Sequence, residues 1–183
     1  MEYRTLENSG LKISALSFGS WVTFVNQLDE STATKCMDYA YNEGVNFFDN
    51  AEAYANGKSE KLMGNIIKKL KWTRDTYIVS SKVFWGGEKP TQRGLCKKHI
   101  HDACNAALKR MKVDYLDLFY CHRPDSETPI LETIYGMNDF GRCLFNPFQA
   151  ILLPCFLIFS QDSYLSRTNI HCSIHLLAHN YEM

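Results

Sequence analysis

The sequence lacks the features typical of secreted, membrane-spanning and nucleic-acid-binding proteins. Its seven cysteines are an odd number and form no Cys-x-x-Cys pair, which favours reduced thiols and a cytoplasmic location. Basic and acidic residues balance at twenty each, so the charge indicates neither nucleic acid nor an anionic membrane as a partner. The N-terminal segment is too charged to predict a secretory signal, and no apolar run is continuous enough to predict a membrane span.

The last part of the sequence lacks charge and periodicity. Between residues 141 and 183 the charged residues are Arg142, Asp162, Arg167 and Glu182. No alternation of strand and helix patterns is visible there. We therefore expect an apolar tail, residues 141–183, unrelated to a preceding domain of residues 1–140. His171, His175 and His179 would share one helix face, but no carboxylate or capping signal supports them, so we predict no metal site.

Three successive strand patterns run into an ionisable side chain at their carboxyl ends. These side chains are Asp49, Lys82 and His122, and Tyr54 follows on the loop after the first strand. In a parallel barrel the active site is built at the carboxyl ends of the strands. Three such residues in phase, with a tyrosine nearby, therefore indicate an active site.

Helical patterns alternate with these strands. Apolar residues recur at helical spacing over residues 29–43, 59–69 and 98–112, and Thr128 and Pro129 suit the N-cap and N1 positions of a fourth helix. A hairpin of residues 3–6 and 11–14 precedes a first strand at residues 15–19, and the later strands cover residues 45–49, 77–81 and 115–121. This alternation predicts an α/β fold with a parallel sheet and right-handed crossovers.

Four separated segments carry a family resemblance. They are Gly19–Phe24, Phe48–Ala55, Phe84–Gly87 and Cys121–Asp125. In this order they resemble the aldo-keto reductases, and within that family the branch of the voltage-gated potassium channel beta subunits. The resemblance runs from about residue 3 to about residue 139 and implies a (β/α)8 barrel, whose bottom the hairpin would plug. A whole barrel needs roughly 250 residues, so we expect a partial, truncated barrel of the hairpin and about four βα units.

The resemblance implies a catalytic tetrad of Asp49, Tyr54, Lys82 and His122. Tyr54 would be the general acid/base, Lys82 paired with Asp49 would lower the tyrosine pKa, and His122 would orient the substrate oxygen. An NADP(H) cofactor would supply the hydride. Taken singly, each residue has a structural alternative. Asp49 could cap a loop, Lys82 could be a solvated strand end, and His122 could be a structural histidine.

The same resemblance implies binding residues around the tetrad. The cofactor would contact Ser20, Trp21, Gln27 and Asp49, and the substrate would contact Phe84, Trp85 and His122. Gln27 is alternatively a surface loop residue, and the two aromatic residues alternatively serve ordinary packing. In the family, contacts to the pyrophosphate, the adenine and the 2′-phosphate come largely from the second half of the barrel, which has no counterpart in this sequence. A Gly-x-Gly-x-x-Gly motif is absent, so a Rossmann domain has no support.

Two functions of different classes follow from the resemblance. The first is an NADP-dependent aldo-keto reductase acting on small carbonyl substrates. The second is a regulatory subunit that binds NADP(H) and a potassium channel alpha subunit. His122 favours the first, because animal channel-beta relatives typically carry Asn at that position. A third interpretation is an inactive fragment, and open sheet edges would favour a homo-oligomer.

Overall fold

Strands and helices alternate along the part of the chain that the computed structural model describes, residues 1–6 and 9–143. The strands are β1 (Tyr3–Thr5), β2 (Lys12–Ser14), β3 (Phe18–Gly19), β4 (Phe47–Asp49), β5 (Ile78–Val83) and β6 (Leu118–Cys121). The helices are α1 (Glu30–Asn42), α2 (Lys58–Leu70), α3 (Lys97–Met111) and α4 (Ile130–Cys143). The predicted order of elements is therefore confirmed.

Strands β3 to β6 form one parallel sheet in chain order, and β1 pairs with β2 in a separate antiparallel hairpin. Asp49 of β4 is in register with Ser80 of β5, and Lys82 of β5 is in register with Tyr120 of β6. A helix follows each strand of the parallel sheet, which is the arrangement of successive βα units in a barrel. The predicted α/β fold, a partial (β/α)8 barrel, is confirmed.

Neighbouring strand residues pack on opposite faces of the parallel sheet. Phe48 and Val79 belong to the larger apolar cluster, which the helices share. Phe47 and Ile78 belong to a smaller cluster with Ile13 of the hairpin. This alternation is the period of two that an extended strand imposes. The short strands are therefore buried on both faces, as parallel sheets usually are.

Reciprocal hydrogen bonds fix the hairpin at the start of β4. The Ser14 amide donates to the side-chain oxygen of Asn46 (2.8 Å), and the Asn46 amide donates to the Ser14 hydroxyl (3.1 Å). The side-chain amide of Asn46 also donates to the Lys12 carbonyl (3.1 Å). The hairpin thus lies at the amino end of the sheet, opposite the edge where Asp49 lies.

Three strands of the parallel sheet are shorter than the sequence predicts. β6 begins at Leu118 rather than at residue 115, because the Asp117 carboxylate accepts hydrogen bonds from the Val79 amide (2.8 Å) and from Arg74 (2.6 Å). Arg74 also donates to the Tyr115 carbonyl (2.9 Å). A side chain therefore replaces part of the backbone ladder at this end. The first two strands of the sheet, β3 and β4, have two and three residues instead of the predicted five each.

The start of α4 corrects the predicted helix cap. The Thr128 hydroxyl donates to the Asp125 carboxylate (2.6 Å) rather than capping the helix, which begins one residue after Pro129. Glu132 lies in the first turn, where an acidic side chain interacts favourably with the helix dipole. Its carboxylate also accepts from the Lys97 amide at the start of α3 (3.0 Å). Glu132 thus connects two neighbouring helices.

Helices α2 and α3 approach closely at Gly64. A Cβ atom at Gly64 would lie 2.5 Å from the Met111 carbonyl oxygen, so the position requires glycine. Beside this contact the fully buried Glu60 carboxylate accepts from Arg110 (2.5 Å) and from the Ser81 hydroxyl (2.7 Å). The Glu60 carboxylate thus connects α2, α3 and β5. A variant without Arg110 would leave this buried charge without a counter-ion.

Residues 144–183 lie outside the described residues, and with them His171, His175, His179 and nearly all of the predicted tail. The predicted boundary at residue 140 falls within α4, and the division there stays a prediction. Within the described residues no helix is long and apolar enough to cross a membrane. In that same part, no three His, Cys, Asp or Glu side chains form a group that could hold a metal ion.

Candidate active site

The carboxyl ends of β4 and β5 bring Asp49, Lys82 and Tyr54 into direct contact. Lys82 Nζ lies 2.5 Å from Asp49 Oδ2 and 3.1 Å from Tyr54 Oη. It also donates to the Asn50 carbonyl (2.9 Å). An ammonium group has three donors, and here all three are used. The lysine is therefore fixed between a carboxylate and a phenol.

The charged form of Lys82 is favoured at this position. Burial alone would lower the pKa of Lys82, but the interactions with the Asp49 carboxylate and the Tyr54 hydroxyl together outweigh burial, and the pKa lies above its ordinary value. Asp49 Oδ1 accepts from the Ser80 hydroxyl (2.6 Å), so both carboxylate oxygens are bonded. A lysine cation at hydrogen-bonding distance from a phenol oxygen favours the phenolate.

A left-handed turn directly follows Tyr54. Ala55 and Asn56 have φ angles of 49° and 54°, and Gly57 has a φ angle of 77°. This conformation costs roughly 1–2 kcal/mol for a residue such as Ala55, whereas glycine and asparagine adopt it more readily. Such strain concentrates at functional sites. The turn leads the chain directly into α2 and leaves the Tyr54 side chain beside Lys82.

His122 follows β6 and joins the site through ring contacts. Its imidazole is edge-on to the Tyr54 ring, with centroids 5.8 Å apart, and its amide donates to the Val83 carbonyl (3.0 Å). Burial, and then the Lys82 cation, lower the pKa of His122, so the imidazole is neutral at neutral pH. Among the described residues its buried Nδ1 atom has no hydrogen-bond partner. The structure therefore brings all four residues of the predicted tetrad together.

Phe84 and Trp85 form an aromatic wall beside His122. Their rings meet edge-on with centroids 4.9 Å apart, and the Trp85 ring lies 5.0 Å from the His122 ring. The guanidinium of Arg123 lies 5.4 Å from the Trp85 centroid and 5.9 Å from the Phe84 centroid. The wall therefore borders the tetrad, and contact of Phe84 and Trp85 with a substrate stays a prediction.

The predicted cofactor residues divide into two groups. The buried Ser20 donates its hydroxyl to the Asp49 carbonyl (3.0 Å). Trp21 is 53% exposed, and its ring lies 6.2 Å from the Tyr54 ring. Gln27 is exposed, and within the described residues no side-chain hydrogen bond joins it to the tetrad. Ser20 and Trp21 therefore lie at the tetrad, whereas contact of Gln27 with a cofactor stays a prediction.

Sequence reasoning missed several residues that hold the tetrad in place. Ser80 is two residues before Lys82, a spacing that places both side chains on one face of a strand, so this signal was present. Asn50 acts through its backbone carbonyl, which a side-chain pattern does not reveal. Glu52 and His99 form a buried pair from separate parts of the chain, and this pairing depends on the tertiary fold.

Comparison with known proteins identifies the family of the chain. Residues 15–142 match the model of the Aldo/keto reductase family. The chain belongs to the aldo/keto reductase family. Its resemblance to the potassium channel beta branch is confirmed as well, because it is 53% identical over 138 residues to a protein of Arabidopsis thaliana named "Probable voltage-gated potassium channel subunit beta". A protein of the same name from Oryza sativa subsp. japonica is 50% identical over 138 residues.

These alignments cover 75% of this aldo/keto reductase chain and 42% of each relative. The chain thus spans less than half the length of the curated relatives it matches. Members of the family generally use a nicotinamide cofactor, and the name of these two relatives associates them with potassium channels. For this chain, activity, substrate and partner are therefore matters of proposal.

Proposed function

We propose that this chain carries the acid–base site of an oxidoreductase that reduces small aldehydes and ketones with NADPH. The observation that carries the proposal is the position of Lys82, whose Nζ atom lies between the Asp49 carboxylate and the Tyr54 hydroxyl. Carbonyl reduction needs a hydride at carbon and a proton at oxygen. Tyr54 is the proton donor in this proposal, because it is the acidic hydroxyl in contact with the lysine.

The proton moves from Tyr54 Oη to the carbonyl oxygen as the alcohol forms. A free tyrosine, with a pKa of about 10, holds its proton too tightly for efficient transfer near neutral pH. The Lys82 cation stabilises the phenolate that remains, and a proton from water later restores the hydroxyl. The neutral imidazole of His122 donates a hydrogen bond to the carbonyl oxygen and orients it toward Tyr54.

The residues on the Trp21 side of the site suit a nicotinamide cofactor. The exposed indole beside Tyr54 offers a flat surface on which an aromatic ring can stack. Ser20, Gln27 and Asp49 would contact the ribose. NADPH, when bound, supplies the hydride to the carbonyl carbon. The Phe84–Trp85 wall would border the substrate opposite this cofactor, because it packs beside His122.

The proposal is tested by following NADPH consumption and alcohol formation together. The full chain is incubated with millimolar NADPH and a panel of small aldehydes and ketones, and a reaction without protein is the control. We expect one alcohol molecule to form for each NADPH oxidised. NADPH oxidation without alcohol, or no reaction with any member of the panel, would contradict the reductase proposal.

A second candidate function follows from the names of the relatives. Both are called potassium channel beta subunits, so this chain could bind a potassium channel alpha subunit. The two functions separate by experiment. A regulatory subunit would form a stable complex with the cytoplasmic part of an alpha subunit and show no carbonyl turnover. Failure of both assays would favour the inactive fragment.

A further inference from the structure

A buried acid–histidine pair lies beside the tetrad without belonging to it. Glu52 and His99 are 5% and 3% exposed, and Glu52 Oε2 lies 3.5 Å from His99 Nε2. His99 Nδ1 in turn lies 2.8 Å from the Gly94 carbonyl oxygen. Burying a carboxylate is costly unless it is paired and hydrogen-bonded. Glu52 meets both conditions. It lies two residues before Tyr54 in the sequence.

Glu52 bridges the loop that carries Tyr54 to the end of β5. Its amide donates to the Lys82 carbonyl (3.2 Å), and its Oε1 atom accepts from the Phe84 amide (2.6 Å). These two hydrogen bonds hold the end of β5 on either side of Val83. One residue therefore connects the segments that supply the proposed acid, its lysine and the aromatic wall.

A close approach at Gly86 covers this pair. A Cβ atom at Gly86 would lie 2.6 Å from Glu52 Oε2 and 2.7 Å from His99 Nε2, so the loop after Trp85 passes directly over both side chains. Burial alone would lower the pKa of His99, but its bonds to Glu52 and Gly94 outweigh burial, and the pKa lies above its ordinary value. The Glu52 carboxylate thus favours the protonated form of His99.

We propose that Glu52, held by His99, is a positioning residue that sets the Tyr54 hydroxyl against Lys82 and keeps the Phe84–Trp85 wall beside His122. This inference rests on the proposed function and deepens it. Reacting groups must be held within a fraction of an ångström of their productive geometry. The loop of Tyr54 is strained, so a bond from Glu52 to β5 is well placed to supply that restraint.

Two substitutions separate the geometric role from simple burial. Glu52→Ala removes the acceptor of the Phe84 amide and leaves that donor unsatisfied. Glu52→Gln keeps the acceptor oxygen, and its amide group can donate to Nε2 of a neutral His99 whose Nδ1 donates to Gly94. Glu88→Gln is a matched control, because Glu88 is an exposed acid on the loop after Trp85.

The direct measurement is the ionisation of Tyr54, followed by NMR of tyrosines labelled with ¹³C at Cζ across a pH titration. The Tyr54 resonance is assigned with Tyr54→Phe, and Lys82→Met gives the titration in the absence of the lysine. We expect Glu52→Ala to move the Tyr54 midpoint upward by about one pH unit, a tenfold change in acidity. Glu52→Gln and the control should leave the midpoint near that of the wild type.

The outcomes distinguish this inference from the proposed function. If the Tyr54 midpoint differs from the wild-type value in Lys82→Met but equals it in Glu52→Ala, the positioning role alone is overturned. A midpoint insensitive to Lys82→Met would contradict both.

Steady-state kinetics provide the second readout. Glu52→Ala should lower kcat about tenfold with little change in KM, and Glu52→Gln should restore it. Failure of the glutamine variant to restore kcat would also overturn the role.

Discussion

His122 is the residue whose charge and hydrogen bonding we expect to matter most for orienting the substrate. Its imidazole lies 5.8 Å from the Tyr54 ring and has a buried Nδ1 atom without a partner in the described part of the chain. We expect His122→Asn to lower kcat and kcat/KM together, by about a hundredfold. His101→Asn is the control, since His101 faces Asp139 on α4. Unchanged kcat/KM in His122→Asn would favour the channel-subunit function.

His122→Asn should also change how the free energy of unfolding depends on pH. The pKa of His122 is lowered in the folded state by burial and by Lys82, so folding opposes its protonation. Its contribution to the free energy of unfolding is therefore fully present above the unfolded pKa of about 6.5 and is lost as the pH falls through the lowered folded pKa. Urea melts at several pH values should show a shallower loss of stability for His122→Asn than for the wild type.

Val25 is a strained residue on the loop between Trp21 and Gln27. Its φ angle is +71°, a region that a β-branched residue adopts only at a cost. We expect Val25→Gly to raise the free energy of unfolding by roughly 0.5 kcal/mol or more, as released strain exceeds the added entropy of the unfolded chain. Val22→Gly, on the same loop without a positive φ angle, should destabilise. Urea melts that reverse this order would contradict the assignment of strain.

At the scale of elements, the contact of α2 with α3 is the packing feature most sensitive to a single methyl group. A Cβ atom at Gly64 would collide with the Met111 carbonyl at 2.5 Å, whereas a Cβ atom at Gly10 on the hairpin would have no neighbouring atom within 4 Å. We expect Gly64→Ala to lower the free energy of unfolding by about 1–3 kcal/mol. Gly10→Ala, measured in the same urea melts, should have a much smaller effect. Equal effects of the two variants would contradict this account.

Helices and strands with local sequence signals were predictable, whereas those whose bounds depend on tertiary contacts were less so. Apolar spacing predicts α2, and the apolar run before Asp49 predicts β4. The start of β6 was not predictable, because Arg74 and the Asp117 side chain replace ladder bonds there. Among site residues, the tetrad followed from strand ends and resemblance. The Glu52–His99 pair was not predicted, because no local sequence pattern indicates a contact between distant segments.

At the scale of the whole molecule, the described sheet has two edges. In that part of the chain, β3 and β6 each pair with one neighbouring strand. Four large apolar side chains of α4 are also exposed: Ile130, Leu131, Ile134 and Tyr135. Unpaired edges and exposed apolar surface promote association. We therefore expect the molecule to associate through the two sheet edges and the exposed apolar side chains of α4.

We therefore expect purified residues 1–183 to elute from a sizing column as a species larger than a monomer and to bind NADPH more weakly than micromolar. The elution volume should depend on protein concentration, because association is a mass-action equilibrium. The measurements are size-exclusion chromatography, a urea melt and an NADPH titration. A monomer with a sharp two-state melt and micromolar NADPH binding would show the expectation to be wrong.

The substitution Tyr54→Phe tests whether the Tyr54 hydroxyl is the proton donor. It removes the hydroxyl that lies 3.1 Å from Lys82 Nζ and leaves the ring in place. Turnover of an aldehyde is measured at saturating NADPH, and NADPH affinity is measured in parallel by cofactor fluorescence. We expect carbonyl reduction to be lost while the NADPH dissociation constant stays within about twofold, because the hydroxyl acts in the proton-transfer step rather than in cofactor binding. Turnover close to that of the wild type in Tyr54→Phe would contradict the account.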